Sequence, residues 1–203
     1  MYDRHYDESE NVMLSDHLIR VKDNCIKLLD KLDSDFQLDL HVAIENSGLS
    51  LDSLKSILIP VALLHDIGKV EENKALEIVH PITGKSKKAR HPLLGLIAAK
   101  ELLSPETNYF DTILAMIEEH DTPFSWYMQM EKSGQIPSSK AWSKLDRKIW
   151  SDAVGKGMFL LSLFKLADID GHEDVSDVIW FIEQANKQCL DPVSYTHLTL
   201  PTN

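Results

Sequence analysis

What this chain lacks narrows its function before any motif is read. It has two cysteines, Cys25 and Cys189, too few for a disulfide framework and without metal-ligand spacing. A reducing, cytoplasmic setting is therefore expected. It has no apolar run long enough for a membrane: "ILIPVALL" (57–64) falls far short of the roughly 20 residues that a spanning helix needs. No secretory leader is expected, because "MYDRHYDESEN" is polar and acidic. Positive charge is scarce too. A net charge of −11 argues against broad nucleic-acid binding and against strong duplex binding, which need a basic face. No alternating strand pattern, internal repeat or low-complexity segment stands out.

What is present fits one soluble globular domain. The chain has 203 residues, 43% hydrophobic and 26% charged, enough for a real core. Helical spacing recurs almost throughout, so the fold class expected is all-α, a compact single-domain bundle. Ser15 or Asp16 can cap a first helix running to about Lys31, with Val21, Cys25, Leu28 and Leu32 at helical intervals. A second is expected over Phe36–Glu45, stopping where Gly48 can take a left-handed cap. A third runs from Leu51 towards His65, with Pro60 interrupting or restarting it and Gly68 ending it. Others are expected near 92–103, 109–119, 140–154, 158–169 and 175–187. The segments "EIVHPITGKSKK" and "QMEKSGQIPSS" read as loops.

Two segments stand apart. "GKSKKAR" gathers Lys85, Lys87, Lys88 and Arg90, either as a solvated charged loop or as a phosphate contact. The tail "VSYTHLTLPTN" has no helical period and resembles translated sequencing-adapter read-through. The expected organisation is a flexible 1–13, a domain over 14–189, and a non-native or disordered 190–203. A downstream kinase or transferase domain lost with such a tail stays open.

The chemistry centres on "LLHDIGK", where His65 and Asp66 close an apolar run. Adjacent helix positions point about 100° apart, so the pair faces one site only at a helix end or kink. Imidazole and carboxylate there make a natural ligand pair for a divalent metal, or an ordinary helix-end cap. Three further observations favour the ligands. His17 lies on the apolar stripe of the first helix, where an unpartnered imidazole is costly. Asp168 interrupts "MFLLSLFKLADI" on the face of Leu161 and Phe164, and a buried carboxylate needs a cation or several donors. His91 and His120 fall at the ends of two expected helices, from which side chains can converge on a cleft.

In order, His17, "HDIGK", His91, His120 and the Asp168 of "KLADID" resemble the HD superfamily of metal-dependent phosphohydrolases, over about Leu14–Ile182. The resemblance implies a compact helical fold in which His17, His65, Asp66 and Asp168 bind one metal. It also implies that His91 and His120 match a second metal or substrate position. Such ligands suit Mn, Fe, Mg, Ni or Zn, one ion or two, which would activate water and polarise a phosphoryl oxygen. Asp66 could orient that water, and Lys69, if not simply solvated, could neutralise charge on the phosphoryl group. Trp126 and Tyr127 could stack on a base. Core packing fits Trp142 and Trp150, eight apart on one expected helix. Asp170 and His172 could support Asp168; His5, His41 and His80 have no evident partner.

Within the superfamily, "HPLLGLIAAKEL" and "EEH" after the doublet resemble HD domains of bacterial tRNA nucleotidyltransferases and some polynucleotide kinases. The implied substrates are phosphomonoesters or cyclic phosphodiesters of a nucleotide or RNA end. The GYP element of the cyclic-dinucleotide branch is absent from the sequence. A dNTP or 5′-nucleotide phosphohydrolase is one alternative, and a non-catalytic regulatory module binding metal or nucleotide is another.

Overall fold

The computed structural model describes residues 13–33, 48–70, 77–82, 84–88, 90–153, 155–169 and 174–188. Helix α1 (Leu14–Asp33) turns His17, Val21, Cys25 and Leu29 inward, one residue per turn or so, with Leu28 half-buried beside them. That stripe packs on α2 (Leu51–Leu64). Ser50 caps α2, its Oγ accepting the Ser53 N–H at 3.1 Å. Pro60 neither interrupts nor restarts the helix. It removes one backbone donor, but Leu54, Ile57, Leu58, Val61 and Ala62 are all buried and hold the helix through it.

A four-residue 3-10 turn (Ile67–Val70) follows, and then a short hairpin of β1 (Glu77–Val79) and β2 (Ser86–Lys88). Helices α3 (His91–Leu102), α4 (Phe110–Glu119), α5 (Thr122–Ser133), α6 (Ser139–Ile149), α7 (Lys156–Ala167) and α8 (Ser176–Gln188) complete the described chain. The apolar α7 lies at the centre, buried from Gly157 to Lys165 and touching α1, α2, α6 and α8. The architecture is all-α apart from the hairpin. Among the described residues no helix is long and apolar enough to cross a membrane.

Four expectations need correction. The segment "EIVHPITGKSKK" pairs antiparallel, Ile78 opposite Lys87, around a turn closed by the Lys85 carbonyl and the His80 N–H at 2.9 Å. Gly84 takes φ +66 in that turn, a left-handed conformation that glycine adopts without cost. Strands of three residues are too short to display an alternating pattern. Second, the stretch after His120 is helical through Ser133, with Pro123 in its first turn and Gly134 as a left-handed cap. Third, α6 stops at Ile149 rather than near 154, so Trp150 lies in extended backbone and not on the helix of Trp142. Buried Asp146 causes the reversal: its carboxylate accepts the Gly155 N–H at 2.7 Å and the Met158 N–H at 3.0 Å. That contact anchors the start of α7. Fourth, Gly68 does not end α2. The helix stops at Leu64, with His65 in right-handed conformation, and Gly68 sits in the 3-10 turn against α3. A Cβ there would lie 2.0 Å from the His91 carbonyl oxygen and 2.5 Å from the Gly95 nitrogen. The expected helix over 36–45, the first twelve residues and the tail from 190 lie outside the described residues.

Candidate metal centre

Helix ends converge on one point. His65 caps α2, Asp66 follows it, His91 opens α3, His120 ends α4, Asp121 precedes α5, and Asp168 caps α7. Only His17 projects from within a helix, one turn into α1. Helix termini let neighbours in sequence share a site, and this explains how both members of the doublet can face inward.

The first group is tight. His17 Nε2 lies 3.3 Å from His65 Nε2, 3.4 Å from Asp66 Oδ2 and 3.6 Å from Asp168 Oδ1. His65 Nε2 lies 3.4 Å from Asp66 Oδ2 and 3.2 Å from Asp168 Oδ1. Four donors around an ion with bonds of about 2.1 Å stand roughly 3.0 Å apart at octahedral angles and 3.4 Å at tetrahedral ones. The observed spacings fit that range with slight opening. The second group shares Asp66 through its other oxygen. Oδ1 stands 3.4 Å from His91 Nε2 and 3.2 Å from His120 Nε2. Asp121 adds Oδ2 at 3.1 Å from His91 Nε2 and Oδ1 at 3.7 Å from His120 Nε2. His17, His65 and Asp66 on one side, and Asp66, His91 and His120 on the other, could each hold a divalent ion.

Surrounding backbone prepares the imidazoles for this. His65 Nδ1 lies 3.0 Å from the Ala62 carbonyl, and His120 Nδ1 lies 2.7 Å from that of Ile117. A carbonyl only accepts, so each Nδ1 carries a proton, and the neutral imidazole that a cation requires would turn its Nε2 lone pair to the centre. The buried His120 Nε2 makes no hydrogen bond, which fits an atom reserved for a cation.

In the cluster without an ion, the electrostatics favour a second proton on His65 and His91. Burial pushes the His65 imidazole down, but the carboxylates of Asp66 and Asp168 overcome it and lift its pKa to about 10. Burial opposes ionisation of Asp66, yet His65, His120 and His17 hold its carboxyl well below the usual range. Asp168 is held down likewise, against burial, by Lys165 and His65, and Asp121 by His91 and His120. His91 is raised despite burial, by Asp121 and Asp66. The cluster holds protons tightly in place of a cation, and an ion would have to displace them. Cys25 is no rival ligand: burial and the nearby Asp168 push its thiol up to about 12.

Two lysines touch the ligands. Lys69 Nζ lies 2.5 Å from Asp66 Oδ2, and Lys165 Nζ lies 2.6 Å from Asp168 Oδ2. Lys165 escaped the sequence reading, although an i, i+3 partner for a buried aspartate was there to be found. A cavity of about 370 Å³ opens above the cluster, with both lysines in its wall. Of the aromatic candidates, Tyr127 lines that cavity, whereas Trp126 packs its ring edge-on against buried Trp142 at 4.6 Å. Trp150 packs on Tyr109 at 5.8 Å.

The basic segment stands elsewhere. Lys85 is exposed at the hairpin and Arg90 is exposed at the start of α3; neither lines the cavity. The backbone of Lys87 and Lys88 belongs to β2. His80 has a partner after all. Its Nδ1 accepts the Ile82 N–H at 3.2 Å, so Nε2 bears the proton and donates to Glu118 Oε1 at 2.7 Å. Lys148 Nζ joins at 2.8 Å from Glu118 Oε2 and also contacts Glu119, tying the hairpin to α4 and α6. His5, His41, Asp170 and His172 lie outside the described residues.

A helical scaffold that turns five helix termini and one helix face onto paired His/Asp groups defines a class of divalent-metal proteins. Residues 14–149, about two thirds of the chain, match the family profile of the HD domain. The chain belongs to the HD-domain family, whose members are in general metal-dependent phosphohydrolases. Asp168 falls beyond the matched residues, and the fold carries it back to the doublet. Comparison with curated proteins and with solved structures gives no significant match.

Proposed function

We propose that this protein is a divalent-metal-dependent phosphohydrolase that cleaves a phosphomonoester or cyclic phosphodiester of a nucleotide or RNA end. The observation that carries this reading is Asp66, whose two oxygens face two separate sets of imidazoles at the floor of a cavity. A bound divalent ion would acidify a water molecule there and draw electron density from a phosphoryl oxygen. The donor set suits Mn, Fe, Mg, Ni or Zn, as one ion or two.

The chain's own groups do the remainder. His17, His65, Asp168 and one oxygen of Asp66 would hold an ion at the first position. His91, His120, Asp121 and the other oxygen of Asp66 would hold one at the second. Asp66 accepts a hydrogen bond from the attacking water and so aims it. Lys69 and Lys165 face the cavity as ammonium groups and offset charge that builds on the phosphoryl oxygens. In the net reaction, the oxygen of water bonds to phosphorus, the ester oxygen leaves with its bonding pair, and water's proton ends on it. Inclusion of an RNA end among the substrates rests on the order of "HDIGK", "HPLLGLIAAKEL" and "EEH". A cytoplasmic setting suits such substrates.

The test is a panel of metal-loaded assays with 2′,3′-cyclic AMP, nucleoside monophosphates, dNTPs and a generic phosphodiester, with His65→Ala/Asp66→Ala as control. Turnover that the double variant abolishes is expected. Equal turnover by the double variant would overturn the mechanism, and metal binding without turnover of any compound would favour a regulatory module.

A further inference from the structure

The cavity is more particular than a metal floor requires. Its far wall is apolar, built by Phe124, Tyr127 and Met128 of α5 and by Val175 and Val178 at the start of α8. Phe124 is 45% exposed, an aromatic face left uncovered beside the metal ligands. Charge around the opening is unusual for a site that handles phosphate. Besides the ligands Asp66, Asp121 and Asp168, Asp174 and Asp177 line it, so among the described residues five carboxylates face two ammonium groups. Asp177 acts on the Lys165 ammonium through space, so it stands close to the place where a phosphoryl group would sit. Asp174 is exposed at the rim, its carboxylate fixed by the Ser176 N–H at 3.0 Å.

We infer that this cavity is specific for a small ester carrying one phosphoryl group on an uncharged aromatic body, the mononucleotide class, and that it rejects a second phosphate. The inference rests on the phosphohydrolase reading and decides between its two branches, in favour of the free nucleotide over the strand end. Two divalent ions would turn a deficit of three positive charges into a surplus of one. That suits a single phosphoryl group. A second phosphate on the sugar, as every internal nucleotide of a strand carries, would have to pass or rest beside Asp174 and Asp177. Like charges a few ångströms apart in a partly dry cleft repel strongly. The apolar wall rewards the organic half of the ester: a base laid on Phe124 and Tyr127 buries area and can stack. The two aspartates can also accept hydrogen bonds from amino or hydroxyl groups of that body. Asp174, Asp177 and Phe124 are thus specificity-determining residues rather than catalytic ones.

The test is calorimetric titration of the Mn-loaded full chain with adenosine 5′-monophosphate, adenosine 3′,5′-bisphosphate and inorganic phosphate. The monophosphate is expected to bind at least about tenfold more tightly than inorganic phosphate and at least about fivefold more tightly than the bisphosphate. Asp174→Asn/Asp177→Asn should close most of the gap to the bisphosphate. Phe124→Ser, at a position 45% exposed, should bring the monophosphate down towards inorganic phosphate and leave the latter unchanged. A bisphosphate that binds as tightly as the monophosphate, or inorganic phosphate that matches both, overturns the inference. The readout is binding, so the expected order without hydrolysis would support this inference while refuting the phosphohydrolase reading.

Discussion

Gly68→Ala is the change for which the fold makes the sharpest demand. The added Cβ would lie 2.0 Å from the His91 carbonyl oxygen and 2.5 Å from the Gly95 nitrogen, both backbone atoms that cannot rotate aside. Relief requires α3 to retreat from the doublet by about 1.5 Å, to reach ordinary van der Waals distance. Overpacking of this kind costs about 1–3 kcal/mol, and contact with backbone places this case at the upper end. At about 2–4 °C per kcal/mol for a domain of this size, the melting temperature should fall by about 6–12 °C. Scanning calorimetry of metal-free protein reads that value without interference from bound ions. Gly95→Ala serves as the comparison. Its Cβ would meet the His65 carbonyl at 3.2 Å and Ile117 Cγ2 at 3.4 Å, a mild squeeze. Alanine's better helix propensity, worth about 1 kcal/mol, offsets it. Gly68→Ala should also pull His91 away from Asp66 by several times the roughly 0.2 Å tolerance of a metal bond. Manganese held by that group should bind at least about tenfold more weakly. A Gly68→Ala protein that melts within about 1 °C of the parent, or a Gly95→Ala protein that loses as much, would refute the reasoning.

Metal should raise the melting temperature. At 100 times its dissociation constant an ion stabilises by about 2.7 kcal/mol, or about 5–11 °C, and a chelator should reverse this. Asp168→Ala should cut the gain, since it deletes a carboxylate oxygen 3.2 Å from His65 Nε2; a full increment in that variant would exclude Asp168 from the site. Asp146 gives a pH dependence away from the metal. Burial raises its pKa, and the Gly155, Met158 and Gly157 amides only partly offset this. A folded-state pKa above the unfolded value of 3.8 means that its contribution is present below about pH 3.8 and lost as pH rises through the folded value. Asp146→Asn should therefore lose more stability, by urea unfolding, at pH 4 than at pH 7, and the opposite trend would reverse the assigned sign.

Much of the scaffold was legible because helices write a period into the sequence. The inward stripe of α1 and the near-continuous apolar run of α7 locate those helices to within a few residues. The misreadings share a cause. Pro60, Gly68 and the end of α6 were judged by local propensity, and tertiary contacts decided each one: a buried face holds α2 through its proline, α3 presses on Gly68, and Asp146 folds the chain back. Helix α5 carried its own punctuation in Pro123 and Gly134, but its polar composition concealed it. His17 and Asp168 were readable as polar residues placed where a core was due. The contact of His80 with Glu118, 38 residues apart between a hairpin and a helix, leaves no trace in any periodicity.

Adjacency in the doublet follows from what the carboxylate has to reach. Both oxygens of Asp66 are engaged, Oδ2 towards His17 and His65 and Oδ1 towards His91 and His120. A short side chain must therefore leave the backbone midway between α1 and α2 on one side and the ends of α3 and α4 on the other. That midpoint is the entry to the 3-10 turn, and the turn can fit there only because α3 comes down onto a residue without a side chain. His65, one residue earlier, still has its backbone N–H bonded to Val61 and its Nδ1 beside Ala62, so it keeps the rigidity of the helix it ends. The sequence His-Asp followed two residues later by Gly is thus one device. A helix end fixes the imidazole, the next residue spans two groups of ligands, and the glycine admits the helix that carries the second group.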